Sequence, residues 1–241
     1  MNDAIDIHAF PSQAELAPAL AAAVARDLRG AIGSRGRAVL AVSGGSTPVP
    51  FFIELRQARL DWSQVTITLV DERWVDVDHP DSNAALVQRH LMQGAAASAH
   101  FQPLWNAAGT AGQGCPATEV LLAQLCPLDV AVLGMGADGH TASWFPGATN
   151  LAQALDMGSH RSCVALQPPQ GGHERISLSL QAVFSAGRRY LHFTGSEKWA
   201  TFERALMPGP VADLPVRALL QDPRAPQIFY AVNDTLQEDM T

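Results

Sequence analysis

Four glycine- and polar-rich segments gather the residue types that can do chemistry in this chain. Ser43-Gly44-Gly45-Ser46-Thr47-Pro48 follows the apolar run Ala38–Val42. Its adjacent glycines let the backbone approach a ligand, and its hydroxyls and amides open the next helix, a natural anion site. The spacing is not that of a nucleotide P-loop. Asp71-Glu72-Arg73-Trp74 ends a second apolar run, and the planar fork of Arg73 suits a phosphate. Asp71 and Glu72 stay open between orienting Arg73, contacting a ligand and serving structure. The stretch Leu133–Gly147 reads LGMGADGHTASWFPG and sets His140 two residues from Asp138, the residue types of a general base near neutral pH. Its GMGADG matches a dinucleotide fingerprint, but Pro146-Gly147 arrives too early for a crossover helix and no ribose-binding acid follows the next strand. The fourth segment is split between Arg175, opening RISLSL, and Gly195-Ser196-Glu197-Lys198, where an ammonium in the first helical turn reinforces an anion site. Lys198 is the one lysine beside fifteen arginines, which separates it from an ordinary solvated lysine. The other seven histidines are read as surface or packing residues.

Positioning these segments requires strands that end where the polar loops begin. Apolar runs of strand length occur at Ala38–Val42, Val65–Val70, Asp129–Leu133, Cys163–Leu166, Ile176–Leu180, Tyr190–Phe193 and Ile228–Val232. Several are apolar throughout, as strands buried on both faces are. Helix patterns lie between them: Ser12 with Glu15 as a capping box ahead of a segment reaching about Leu28 and kinked at Pro18, then Pro48–Ala58, Asn83–Met92, Ala117–Leu125 and Glu197–Leu206. Ser82 or Asn83 caps the third of these. Gly94–Gly114 reads as loop, with Ala107–Gly114 a candidate mobile segment. The alternation predicts an α/β fold, a Rossmann-like three-layer α/β/α sandwich with a mostly parallel sheet, whose ligands sit beyond the carboxyl ends of the strands. No linker, repeat or compositional break divides the chain, so residues 1–241 are read as one domain.

Composition excludes several classes. The 241 residues are 47% hydrophobic, and 16 basic against 23 acidic side chains give a formal charge of −7. An acidic chain without a basic cluster is a poor partner for nucleic acid. No apolar run reaches 18 residues, and Leu16–Ala25 is broken by Pro18, so no membrane partner is expected. The amino terminus lacks a basic region followed by an apolar stretch, and Cys115, Cys126 and Cys163 are odd in number with no CxxC. A cytoplasmic protein with reduced thiols and neither zinc site nor disulfide framework is the expectation.

Together SGGSTP, DERWV followed by DSN, GMGADGHTASWFP, RISLS and TGSEKW resemble the 6-phosphogluconolactonase family, of which glucosamine-6-phosphate deaminase is a relative, from about Ala41 to Lys198. The deaminase branch carries Asn-Glu-Pro after the shared Asp-Gly-His. Here that stretch is Trp144-Phe145-Pro146, with Phe145 where the glutamate falls, which is similar to the lactonase pattern. Trp144 departs from the leucine usual there and is expected to alter pocket shape.

The resemblance implies hydrolysis of 6-phospho-D-glucono-1,5-lactone to 6-phosphogluconate, without cofactor or metal. On that reading His140 takes a proton from water and returns it to the leaving ring oxygen, oriented by Asp138. Amides around Gly44, Gly45 or Gly136 stabilise the oxyanion. Arg73, Arg175 and Lys198 hold the phosphate, Ser43 and Thr47 add hydroxyl contacts, and Asp71 belongs to the substrate site. Ser43 lacks a GxSxG elbow, which argues against a serine-hydrolase route. The partner is then a small sugar-phosphate lactone, with the chain acting as monomer or homodimer. Two other readings stay in view: a deaminase or isomerase acting on an amino-sugar phosphate, and a non-catalytic phosphosugar sensor. The sensor is disfavoured because Met1–Val39 reads as one short strand and one helix, with no helix-turn-helix.

Overall fold

The computed structural model describes residues 5–233. Its main sheet holds seven strands: β1 (Ile7–Ser12), β2 (Ala38–Val42), β3 (Val65–Leu69), β5 (His100–Phe101), β6 (Val130–Gly134), β9 (Arg188–Thr194) and β10 (Gln227–Asn233). Their spatial order is β1-β10-β9-β6-β2-β3-β5, and every pairing is parallel. The reason lies in the side chains. All five residues of β2 are buried, as are the first four of β6, so these strands need cover on both faces, which crossover helices supply. The cover includes α1 (Gln13–Arg35) and α2 (Val49–Leu55), which pack on each other, and α7 (Ser196–Leu206), which lies against β9 and β10. The Rossmann-like α/β/α sandwich with a parallel sheet is therefore borne out.

Chain order reverses between β2 and β6: β3 and β5 build outward from β2, while β9, β10 and β1 build outward from β6. Such a switch point leaves a crevice beyond the strand ends. Ser43 and Gly134 lie at those two ends.

A second sheet was not foreseen from the sequence. Strands β4 (Asp71–Arg73), β7 (Cys163–Leu166) and β8 (Arg175–Leu178) form an antiparallel trio in the order β4-β8-β7. The two apolar runs read as further strands of the main sheet thus belong to this smaller one. It grows directly from β3: the Val70 N–H donates to the Val42 carbonyl at 2.9 Å, and the Leu178 N–H donates to the Val70 carbonyl at 2.8 Å. Helix α4 (Ala111–Leu125) covers it.

Helix limits also moved. Helix α1 runs to Arg35, past the expected Leu28, and stops at Gly36 in the left-handed conformation at φ 71°. Pro18 lies within it. The capping box is only half made: Ser12 Oγ donates to Glu15 Oε1 at 3.3 Å and caps no amide. Gly94–Gly114 is not simply loop. It contains a 3₁₀ turn (Gly94–Ser98), β5 and the start of α4. Thr110 caps α4 by accepting from the Gln113 N–H at 3.2 Å, and Glu174, distant in sequence, accepts from the Ala111 N–H at 2.7 Å. Helix α3 (Asn83–His90) begins as expected, with Ser82 as its cap. Short helices α5 (Leu151–Leu155), α6 (Leu180–Phe184) and α8 (Arg217–Leu220) are additional. Among the described residues, no helix is long and apolar enough to cross a membrane.

Candidate active site

A cavity of about 270 Å³ opens over the switch point. Its lining includes Ser43, Gly44, Gly45, Thr47, Asp71, Arg73, Gly136, His140, Arg175 and Lys198, so ten of the eleven residues singled out above meet in it, with Ser46 of the same glycine loop. The eleventh, Asp138, touches it through His140. Small-molecule pockets run to about 300–1,000 Å³, so this one is of a size that suits a single sugar phosphate.

The loop after β6 holds the histidine. His140 Nδ1 lies 2.5 Å from Asp138 Oδ1, and the His140 N–H donates to the same oxygen at 3.1 Å. Burial alone would push the Asp138 carboxyl up; the hydrogen bonds and the charge of His140 outweigh it and bring the carboxyl below its ordinary value. An ionised carboxylate can only accept, so Nδ1 carries the proton of this hydrogen bond, and Nε2 is the ring nitrogen left to exchange a proton with a ligand or water. Phe145 packs on the imidazole, with ring centroids 4.4 Å apart.

Gly136 corrects an expectation. Its N–H already donates to the His140 carbonyl at 2.9 Å, closing the loop, so it is not available to an oxyanion. A Cβ there would stand 2.2 Å from His140 Cε1 and 2.7 Å from Asp138 Oδ1, so glycine is needed because the catalytic-type pair lies against its backbone. The same loop is clamped from outside. Thr201 Oγ1 of α7 donates to the Ala137 carbonyl at 2.8 Å, and the Val216 N–H donates to the Gly139 carbonyl at 3.0 Å.

The loop after β2 forms the opposite bank of the switch point. Gly44 approaches Asn83 so closely that a Cβ would fall 1.8 Å from its Oδ1, and Gly45 has φ 90°. Gln13 anchors the loop by donating to the Thr47 carbonyl at 2.8 Å. The Ser43 hydroxyl is buried without a partner, an acceptor and donor held ready for a ligand.

The small sheet supplies the guanidinium groups. Arg73 and Arg175 are direct cross-strand partners. Like charges placed opposite each other are unfavourable unless an anion joins them. Burial first, and then Arg73, push the Arg175 guanidinium below its ordinary value, although Asp71, Glu72 and Asp81 counter them. Each arginine is held by a carbonyl: Arg73 Nη1 donates to Asp81 O at 2.6 Å, and Arg175 Nη1 donates to His173 O at 2.5 Å. Asp71 is buried at the cavity wall, where Ser143 Oγ donates to its Oδ2 at 2.6 Å. Glu72 proves to be structural. It accepts from the backbone N–H groups of Arg73, Asn83 and Ala84, each at 2.8 Å, and from the Ser82 hydroxyl at 3.1 Å, tying β4 to the start of α3. Burial raises its carboxyl above the ordinary value, and the three amides pull it back in part.

Lys198 stands in the first turn of α7, after Gly195 at φ 90°, and lines the cavity. His192 lines it as well, which the packing assignment missed. Its Nε2 is buried without a hydrogen bond, and burial, followed by the charge of Lys198, lowers its pKa to about 4, so it is neutral near pH 7. The available signal was a lone polar ring within the apolar strand YLHFT, two residues from its carboxyl end. Trp144 is a second correction: it is wholly buried and donates to the Leu178 carbonyl at 3.0 Å, fastening the loop to β8 and not shaping the pocket.

The arrangement can bind a compact anion and activate a water beside it. Comparisons with known proteins bear on which molecule that is. The family model described as "Glucosamine-6-phosphate isomerases/6-phosphogluconolactonase" matches residues 11–229. A 6-phosphogluconolactonase of Mesorhizobium japonicum is 45% identical over 226 residues, covering 93% of this chain and 94% of that protein. One from Pseudomonas putida is 44% identical over 220 residues, covering 91% of each. The crystal structure of a 6-phosphogluconolactonase from Shewanella baltica matches with TM-score 0.90 and 39% identity, over 96% of this chain and all of that one.

Proposed function

The chain belongs to the glucosamine-6-phosphate isomerase/6-phosphogluconolactonase family, and within it we propose that the chain hydrolyses 6-phospho-D-glucono-1,5-lactone to 6-phosphogluconate. The observation that carries this reading is the His140–Asp138 pair facing one small cavity with Arg73, Arg175 and Lys198. One end of the ligand is a phosphate dianion that these cations neutralise. The other end is an ester carbonyl that needs water, charge stabilisation and a proton.

In the proposed reaction His140 Nε2 takes a proton from water as its oxygen attacks the lactone carbonyl. The imidazolium formed is stabilised by Asp138, which already accepts from Nδ1. Amides of the Gly44–Gly45 loop stabilise the oxyanion, and Gly136 drops out of that role because its N–H is engaged. Collapse breaks the bond to the ring oxygen, and His140 Nε2 returns the proton there. Atoms and charge balance without a covalent enzyme intermediate. Arg73, Arg175 and Lys198 hold the phosphate with Ser43 and Thr47, and Asp71, an anion itself, is suited to a sugar hydroxyl and not to the phosphate. Phe145 against His140 favours hydrolysis over the deaminase reaction, since an apolar ring occupies the place of the second acid.

We further read residues 1–241 as one catalytic domain that works as monomer or homodimer in the cytoplasm and needs no cofactor. The buried residues of the two sheets form a single continuous core, which supports the first point. The test is an assay with freshly generated lactone, corrected for its spontaneous opening. Acceleration of 6-phosphogluconate formation is expected. Ammonia release from glucosamine-6-phosphate, with no acceleration of lactone opening, would overturn the reading.

A further inference from the structure

The pairing of β4 with β8 brings together three side chains that the proposed reaction does not use. The turn after β4 carries His79 and Asp81, and the residues entering β8 carry His173. Asp81 Oδ2 lies 3.1 Å from His173 Nε2 and 3.9 Å from His79 Nδ1. One ligand-type atom from each of the three lies within 4.8 Å of the others. The two rings meet edge to face, with centroids 5.3 Å apart.

We propose that His79, Asp81 and His173 form a binding site for a divalent transition-metal ion of the zinc class at the rim of the cavity. Two imidazoles and one carboxylate suit zinc and its first-row neighbours, and leave a coordination position to water. Bonds of about 2.0–2.1 Å in a tetrahedron set ligand atoms roughly 3.4 Å apart. The Asp81–His173 and Asp81–His79 separations bracket that value, so only modest rotation of exposed side chains is required. Their backbones are already set. The His79 N–H donates to the Asp76 carbonyl and the Ser82 N–H to the His79 carbonyl, each at 2.9 Å, while Ser82 and Asn83 are fixed by Glu72. His79 Nδ1 accepts from the Asp81 N–H at 3.1 Å; the ion replaces that contact and the exposed amide turns to water.

The site differs from the catalytic pair and supplies no step of hydrolysis, yet it is linked to substrate binding. Asp81 and His173 are the residues whose carbonyls hold Arg73 and Arg175. A metal ion therefore clasps the two segments that set the arginine pair.

The test is a zinc titration of tag-free, chelator-treated protein followed by calorimetry, with cobalt absorption as a second reading of ligand geometry. His140→Ala serves as the background that removes the imidazole of the Asp138 pair from the cavity, leaving only the buried His192 ring there. One equivalent of zinc bound with micromolar affinity is expected in that background. Adding His173→Ala or Asp81→Asn should weaken binding by an order of magnitude or more, and should abolish the zinc-dependent rise in melting temperature while circular dichroism shows the fold retained. Failure of the background protein to bind zinc, or equal binding after either added substitution, would leave the trio as a hydrogen-bonded cluster and overturn the proposal.

Discussion

The two sheets contribute differently to one cavity. The seven-stranded sheet is all parallel, buried, and ends at the cavity in glycine loops that carry His140 and the Ser43–Thr47 amides. The three-stranded sheet is antiparallel, and sets Arg73 and Arg175 opposite each other as direct cross-strand partners. One sheet places the proposed proton-transfer group, and the other places paired positive charge. An antiparallel pair brings directly opposite residues close together on one face, and that sets the two guanidinium groups side by side. Lys198, after β9, is the charge that the large sheet adds.

The sharpest way to break this division is His140→Ala. Loss of general acid–base help should lower kcat by about 10²–10⁴-fold, with KM for the lactone nearly unchanged. Steady-state kinetics on fresh substrate decides it, and an unchanged kcat would remove His140 from the chemistry.

The next largest effect tests the buried histidine of the large sheet. His192 has its pKa lowered to about 4 by burial first and Lys198 second, against an ordinary value of 6.5. The unfolded chain takes up a proton below about 6.5 and the folded chain does not, so folding stability is full above that pH and is lost as pH falls toward about 4. The difference amounts to roughly 3 kcal/mol. Urea unfolding between these pH values should show that His192→Asn has a flatter pH dependence than the parent. Parallel curves would mean that His192 is protonated in the fold.

Arg175→Ala turns to the small sheet. Losing a charged hydrogen bond to the phosphate, worth about 1.5–3 kcal/mol, should raise KM roughly 10–100-fold while kcat changes less. Arg73→Ala and Lys198→Ala should act in the same sense. A fall in kcat alone would show that the arginine pair serves the reacting end of the substrate and would dissolve the contrast between the sheets.

How much of this was legible in the sequence follows the same division. The parallel strands announce themselves as unbroken apolar runs such as AVLAV, and the loops after them as glycine-hydroxyl clusters, because both signals are local. The small sheet was opaque for a physical reason. Asp71–Arg73 is three polar residues long, and its strand character comes wholly from pairing with residues about a hundred positions away. Likewise the start of α4 among glycines and alanines rests on a carboxylate from Glu174. The grouping of Asp138, His140, Arg73, Arg175 and Lys198 was legible because each lies at a strand boundary, Arg175 opening one strand and the others ending or following theirs. The engagement of the Gly136 amide was not, since it depends on how the loop closes on itself.

The smallest effect probes the seam between the large sheet's two contributions. Helix α7 carries Lys198 at its start and, one turn further along, Thr201, whose buried hydroxyl donates to the Ala137 carbonyl of the histidine loop. The proposed anion contact of Lys198 and the brace on the histidine loop therefore share one helix. Thr201→Val keeps the shape and removes the donor, leaving the Ala137 carbonyl unpaired, at a cost of about 1 kcal/mol in stability. The same loss loosens the loop that aims His140, so kcat should drop severalfold with KM held, and Thr201→Ser should recover both melting temperature and kcat. If valine lowers the melting temperature yet leaves kcat intact, the Asp138 hydrogen bond and the packed Phe145 ring suffice to hold the imidazole, and α7 contributes only Lys198 to the site.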